Sequence, residues 1–112
     1  MICMIYGITL APGRRGDYLK EFGRIRNEVR RQHGCIEYEI YVDSTDTRFD
    51  NQRRDNVAVI VEKWESIESL QAHGQTRVMD DFRQRVKSLK LVSEYQLLTP
   101  YEMEVGQSGV VK

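Results

Sequence analysis

The chain has 112 residues, 17 basic against 17 acidic side chains for a formal net charge of zero, and 40% hydrophobic residues. That length predicts one domain with a genuine core, and the composition is too apolar for wholesale disorder. The charge balance argues against a strong global field for nucleic acid or an anionic membrane, and no window approaches the ~18 apolar residues of a membrane span.

Residues 1–10 read as a first strand, with Ile2, Met4, Tyr6, Ile8 and Leu10 alternating with Cys3, Ile5, Gly7 and Thr9. The stretch lacks the basic flank and small-residue cleavage site of a signal peptide. Ala11-Pro12-Gly13 punctuates it. A helix follows over residues 15–33, where Tyr18, Phe22, Ile25 and Val29 recur at helical spacing and Leu19 widens the stripe. Arg24, Arg26, Arg30 and Arg31 lie outside that stripe, and Gly34 suits the left-handed residue just past the helix end.

Residues 35–43 form a second strand, Ile36, Tyr38, Ile40 and Val42 on one face and Glu37, Glu39 and Tyr41 on the other. Residues 44–56 are polar apart from Phe49 and longer than a hairpin needs, so they read as a mobile loop or a lid. A third strand covers residues 57–64. Ser66 caps a short helix ending near Gly74, and Thr76 caps another over residues 77–89 with Val78, Met79, Phe82, Val86 and Leu89 inward. Residues 91–103 are a fourth strand, and residues 104–112 a tail.

The order strand, helix, strand, strand, helix pair, strand defines an α+β ferredoxin-like sandwich: a four-stranded antiparallel sheet with its helices on one face. The first strand is apolar on both faces, and the third opens with Val57-Ala58-Val59-Ile60-Val61. There is helix enough to cover only one face. The second face is therefore expected to pack on another copy, as a two-fold homodimer.

Candidate chemistry is sparse. No Gly-rich phosphate loop follows a strand, and no Ser-His-Asp order is recognisable. His33 and His73 are the only histidines, and neither has a partner at metal-ligand spacing. Cys3 and Cys35 are too few for a disulfide framework and match no zinc spacing, so a reduced, cytoplasmic chain is expected. Glu37 and Glu39 read as a solvated strand face with cross-strand partners. The informative segment is residues 62–74. Glu62 and Trp64 share a strand face, and Leu70 and His73 share a helix face. His73 is either a helix-terminal histidine favoured by the dipole or an inward-facing general base. Trp64 is either a core aromatic or a pocket wall.

Glu62-x-Trp64-x-Ser66 with His73 nine residues after the tryptophan resembles the antibiotic biosynthesis monooxygenase family. Pro12-Gly13, a helix, then Gly34-Cys35-Ile36-x-Tyr38 resembles that family's first half, and the likeness covers residues 3–103. The resemblance implies a dimeric α+β barrel with a pocket between sheet and helices. It also implies oxygenation of a small aromatic, quinol or polyphenol by O2 without metal or flavin, the substrate anion itself reducing oxygen. On that likeness His73 is the base or orienting group, Trp64 the pocket wall, and Tyr6, Tyr38 and Phe82 further pocket residues. Glu62 is then an anchor for the helix turn.

Arg77 stands near the position where many relatives carry a second histidine, which weighs against a two-histidine mechanism. Some polyketide oxygenases of that family place a polar amide on the strand leading to the tryptophan, where this chain has Val59-Ile60-Val61, so the resemblance does not extend to that mechanism. Haem-degrading relatives put an Asn in the first strand, and none precedes Asn27 here, which weighs against haem degradation. The loop at 44–56, with Arg53 and Arg54, is expected to be a solvated loop rather than a lid or a site for an acidic group. Two competing functions stay open: a non-enzymatic or regulatory dimer binding a small hydrophobic ligand, and an isomerase-type enzyme on the same scaffold. An open cavity beside His73 favours an enzyme; one filled by Trp64, Phe82 and Tyr38 favours a binding or structural role.

Overall fold

The computed structural model describes residues 1–102. Its order is β1 (Ile2–Leu10), α1 (Arg15–Arg30), β2 (Cys35–Tyr41), β3 (Val57–Trp64), α2 (Ile67–Gly74), α3 (Arg77–Val86), a 3-10 turn (Lys87–Leu89) and β4 (Lys90–Leu98). The strands form one sheet in the order β2-β3-β1-β4, and every neighbouring pair is antiparallel. This is the expected α+β ferredoxin-like arrangement, with helices on one face. No described helix is long and apolar enough to cross a membrane.

Register decides what faces the helices. Ile2, Met4, Tyr6 and Ile8 of β1 lie opposite Trp64, Glu62, Ile60 and Ala58 of β3, so these eight side chains share the helix-covered face. The α1 stripe of Tyr18, Phe22, Ile25 and Val29 is buried on that face, together with Leu70, Met79, Phe82, Val86 and Leu89. Each buried aliphatic or aromatic side chain of this kind contributes roughly 1.5–3 kcal/mol relative to exposure. Ser66 Oγ accepts from the Ser69 backbone N–H at 3.1 Å and starts α2, and Thr76 Oγ1 accepts from Met79 N–H at 3.4 Å and starts α3.

The structure moves several boundaries. Helix α1 stops at Arg30 rather than 33, because its apolar stripe ends at Val29 and the last turn tightens: Arg31 N–H reaches Glu28 O and Gln32 N–H reaches Val29 O. Gly34 is therefore not the residue that ends the helix. It takes a φ of 81° in the turn entering β2, where a Cβ would collide with the Ser69 side chain. Strict alternation also fails in β2. A bulge between Cys35 and Glu37 puts Cys35, not Ile36, on the side of Tyr38, and Ile36 is 54% exposed. Strand β4 ends at Leu98, just before Thr99-Pro100, because proline cannot donate to a ladder. The expected continuation to residue 103, and the tail, lie outside the described residues.

The opposite sheet face presents Cys3, Ile5, Gly7 and Thr9 of β1 with Val57, Val59 and Val61 of β3, all half-buried. Beside them Val92 and Leu98 of β4 are exposed. Tyr95 and Leu97 of β4 point to the helix side, opposite Tyr6 and Met4, yet remain exposed because the helices stand over β2 and β3.

Candidate functional site

A cavity of about 260 Å³ opens between the sheet and the helices. Met4, Tyr6, Tyr38 and Ile60 form its sheet side, and Leu70, Met79, Phe82 and Val86 its helix side. His73 and Glu62 are its buried polar groups, and Arg83 and Lys90 also line it. Of the residues the sequence singled out, His73, Tyr6, Tyr38 and Phe82 meet here. Trp64 does not line the cavity: it is fully buried behind His73, ring centroids 4.7 Å apart.

His73 arrives by helix geometry. Ser66 fixes where α2 begins, so His73, one turn beyond Leu70, is carried under the sheet and left only 4% exposed. Tyr38 meets the imidazole edge-on at 5.5 Å and itself stacks on Phe22 at 4.8 Å. The two ring nitrogens have different neighbours. Nδ1 lies 2.8 Å from Gln32 Oε1, and Nε2 lies 3.5 Å from Glu62 Oε1.

Glu62 is not the anchor of the helix turn that the sequence suggests. Its carboxyl accepts a hydrogen bond from Trp64 Nε1 at 3.1 Å and faces His73, while Ser66 holds the turn. Burial raises its pKa, and the Trp64 N–H and the Arg83 charge only partly offset this. Burial, and then Arg83, push the His73 pKa down to about 4. Although the two side chains are close, both shifts oppose an ion pair: the imidazole is neutral and the carboxyl is biased toward its protonated form. Burial also raises Tyr38 and Tyr18 well above the ordinary phenol value, so both are hydroxyl donors rather than phenolates.

The mouth is cationic. Lys90 Nζ donates to Tyr6 OH at 3.2 Å. Arg83 donates to Gly74 O at 2.6 Å and to Asp80 at 2.9 Å, tying α3 to the C-terminal end of α2. Among the described residues, no three His, Cys, Asp or Glu side chains come together as metal ligands. The loop at 44–56 contributes nothing to the lining. Arg54 binds Asp43 through two nitrogens at 2.8 and 2.9 Å, and Arg53 donates to Asp46 O, so the loop closes on itself rather than over the pocket.

Sequence reasoning missed Gln32, Lys90 and Arg83. Gln32 lies past the last apolar residue of α1. Lys90 reaches Tyr6 only through the β1–β4 pairing, whose register shifts beside Leu10. For Arg83 a signal existed: it is four residues beyond Met79 and one beyond Phe82, at the edge of the inward stripe of α3.

A sheet roofed on one side by helices, with a neutral imidazole and a buried carboxyl at the bottom of a mostly apolar chamber, defines a small cavity protein of the α+β class. The family model described as antibiotic biosynthesis monooxygenase matches residues 1–85. The chain is 33% identical over 103 residues to the probable quinol monooxygenase YgiN of Escherichia coli K12, covering 89% of this chain and 98% of that one. The fold is shared with PA3566 from Pseudomonas aeruginosa, at a TM-score of 0.73 and 21% identity over 88% of this chain and 92% of that one. It is shared equally with Rv0793 from Mycobacterium tuberculosis, at a TM-score of 0.74 and 20% identity over 90% and 95% of the two chains. The chain belongs to the antibiotic biosynthesis monooxygenase family.

Proposed function

We propose that the protein is a cofactor-independent monooxygenase that oxidises a quinol or related polyphenol with O2. The observation that carries this reading is the open, largely apolar cavity beside an imidazole held neutral by burial. A neutral His73 accepts the proton of a bound hydroxyl, and the resulting aryloxide is electron-rich enough to reduce O2. For a dihydroxyarene the balance is one arene and one O2 giving one hydroxyquinone and one water. One oxygen atom replaces a ring hydrogen, the other leaves as water, and the arene supplies four electrons. The chain supplies a base, a largely apolar chamber that positions the ring, and positive charge from Lys90 and Arg83 toward the developing oxyanion. Similarity to a probable quinol monooxygenase supports the same substrate class.

The chamber supports a ligand-taking role over a purely structural one, since Tyr38 and Phe82 line it without filling it. In this proposal the working unit is a homodimer, its half-buried Ile5, Val59 and Val61 face covered by a second copy. It works in the cytoplasm, where its two free thiols stay reduced. The test is O2 uptake with a panel of hydroquinones and anthrones. His73→Gln should cut turnover by roughly 10²–10⁴-fold, the usual contribution of a general base, while near-UV circular dichroism stays native. Equal turnover in the variant removes His73 from the chemistry. Absence of uptake across the whole panel, with tight binding of the same compounds, replaces the oxygenase with a ligand-binding protein.

A further inference from the structure

The His73 ring is asymmetric in its surroundings. Trp64 and Tyr38 pack against the ring, and each of its two nitrogens has a different polar neighbour. Nε2 looks across to Glu62 at the cavity. Nδ1 looks the other way, toward a second recess lined by Gln32, His33, Ser66, Glu68, Ser69 and Thr76. Gln32 reaches it from the turn between α1 and β2, and its Oε1 is 2.8 Å away.

We propose that Gln32 is a positioning residue that holds His73 as the Nδ1–H tautomer, so that the Nε2 lone pair is presented to Glu62 and the cavity. With the amide oxygen turned to the ring, as the structure has it, the 2.8 Å contact is a hydrogen bond when the proton sits on Nδ1, because an amide oxygen only accepts. The reverse tautomer would give up the 2.8 Å contact at Nδ1 and place its N–H toward Glu62 Oε1 at 3.5 Å, longer than an ordinary N–H to oxygen hydrogen bond. It would also take away the lone pair that a base needs. The charged or titratable groups around the ring are Glu62 from β3, Tyr38 from β2 and Arg83 from α3, with His33 and Glu68 in the recess on the Nδ1 side, neither hydrogen-bonded to the imidazole. None of them competes for Nδ1. The catalytic value of the tautomer rests on the oxygenase reading; the tautomer itself does not.

The experiment is nitrogen-15 NMR of the two imidazoles without substrate, the His73 signals being assigned by their loss in His73→Gln. Near neutral pH the unsubstituted position 32 should give a proton on Nδ1 of His73. Gln32→Leu should move it to Nε2 and lower kcat roughly tenfold at unchanged KM, the worth of one hydrogen bond in orienting the base. Gln32→Glu keeps an acceptor, so it should keep the Nδ1–H tautomer and restore kcat. Its added negative charge favours the imidazolium and should shift the acid limb of the pH profile upward. A proton on Nε2 with Gln32 in place, or an unmoved tautomer in Gln32→Leu, overturns the proposal. A tautomer that switches as expected in a protein that oxidises no quinol leaves Gln32 in its role and ends the oxygenase reading instead.

Discussion

Replacing His73 with Gln should make the fold less sensitive to mild acid. The imidazole has an ordinary pKa of 6.5 and one of about 4 in the folded chain, because it is buried and faces Arg83. Protonation therefore favours the unfolded state. The stability tied to the neutral ring is fully present above pH 6.5 and is lost as pH falls toward 4. Between about pH 7 and about pH 5 the wild-type chain should lose about 2 kcal/mol through this group alone. Other groups titrate in acid as well. Glu62, with its pKa raised, works in the opposite direction and gains as pH falls, whereas the surface carboxylates Asp43 and Asp46, held low by Arg54 and Arg48, lose. All three remain in His73→Gln, so the difference between the two proteins isolates the imidazole. Urea unfolding at both pH values gives that difference directly. Parallel losses of stability in wild type and variant would show that His73 carries its charge inside the fold, and would refute the neutral-base argument.

Gly34→Ala should destabilise the chain by more than about 2 kcal/mol, because a φ of 81° is strained for alanine and its Cβ would press on Ser69 in α2. An unchanged Tm would mean the turn re-forms at no cost. Light scattering should give twice the 13.2 kDa chain mass, and Val61→Lys, on the face away from the helices, should halve it. A variant that remains dimeric would move the interface to another surface.

Much of this was legible from local pattern. Alternation in residues 2–10 separated the two sheet faces, the Tyr18–Phe22–Ile25–Val29 stripe gave the buried side of α1, and the pairing of Leu70 with His73 carried the imidazole inward. These succeed because burial imposes a fixed period on strands and helices. What was not legible depends on register and on turns. A single bulged residue exchanged Ile36 for Cys35 in β2. The Lys90–Tyr6 contact needs the first and last strands to be neighbours, and 84 residues separate the two side chains in the chain. Trp64 lies on the expected face, yet it is one layer too deep to line the cavity, a distinction in depth that a period of two does not carry.

The polar groups of the cavity make sense as one arrangement rather than as separate residues. A histidine base needs its neutral form, and burial alone would supply that at the risk of an adjacent carboxylate drawing a proton onto the ring. Two features counter that risk. Trp64 Nε1 donates to the Glu62 oxygen that faces His73 and draws off part of its charge, and burial raises the Glu62 pKa. Arg83 then acts on both: its charge opposes protonation of His73 and tempers the rise at Glu62, while its hydrogen bond to Gly74 O holds it where α2 ends. The same guanidinium, with Lys90 beside Tyr6, leaves positive potential toward the space a substrate oxyanion would enter. Under the proposed function, a single set of charges disfavours the imidazolium before a substrate binds and favours the anion after the proton has moved, which is the order that base-initiated oxygen chemistry requires.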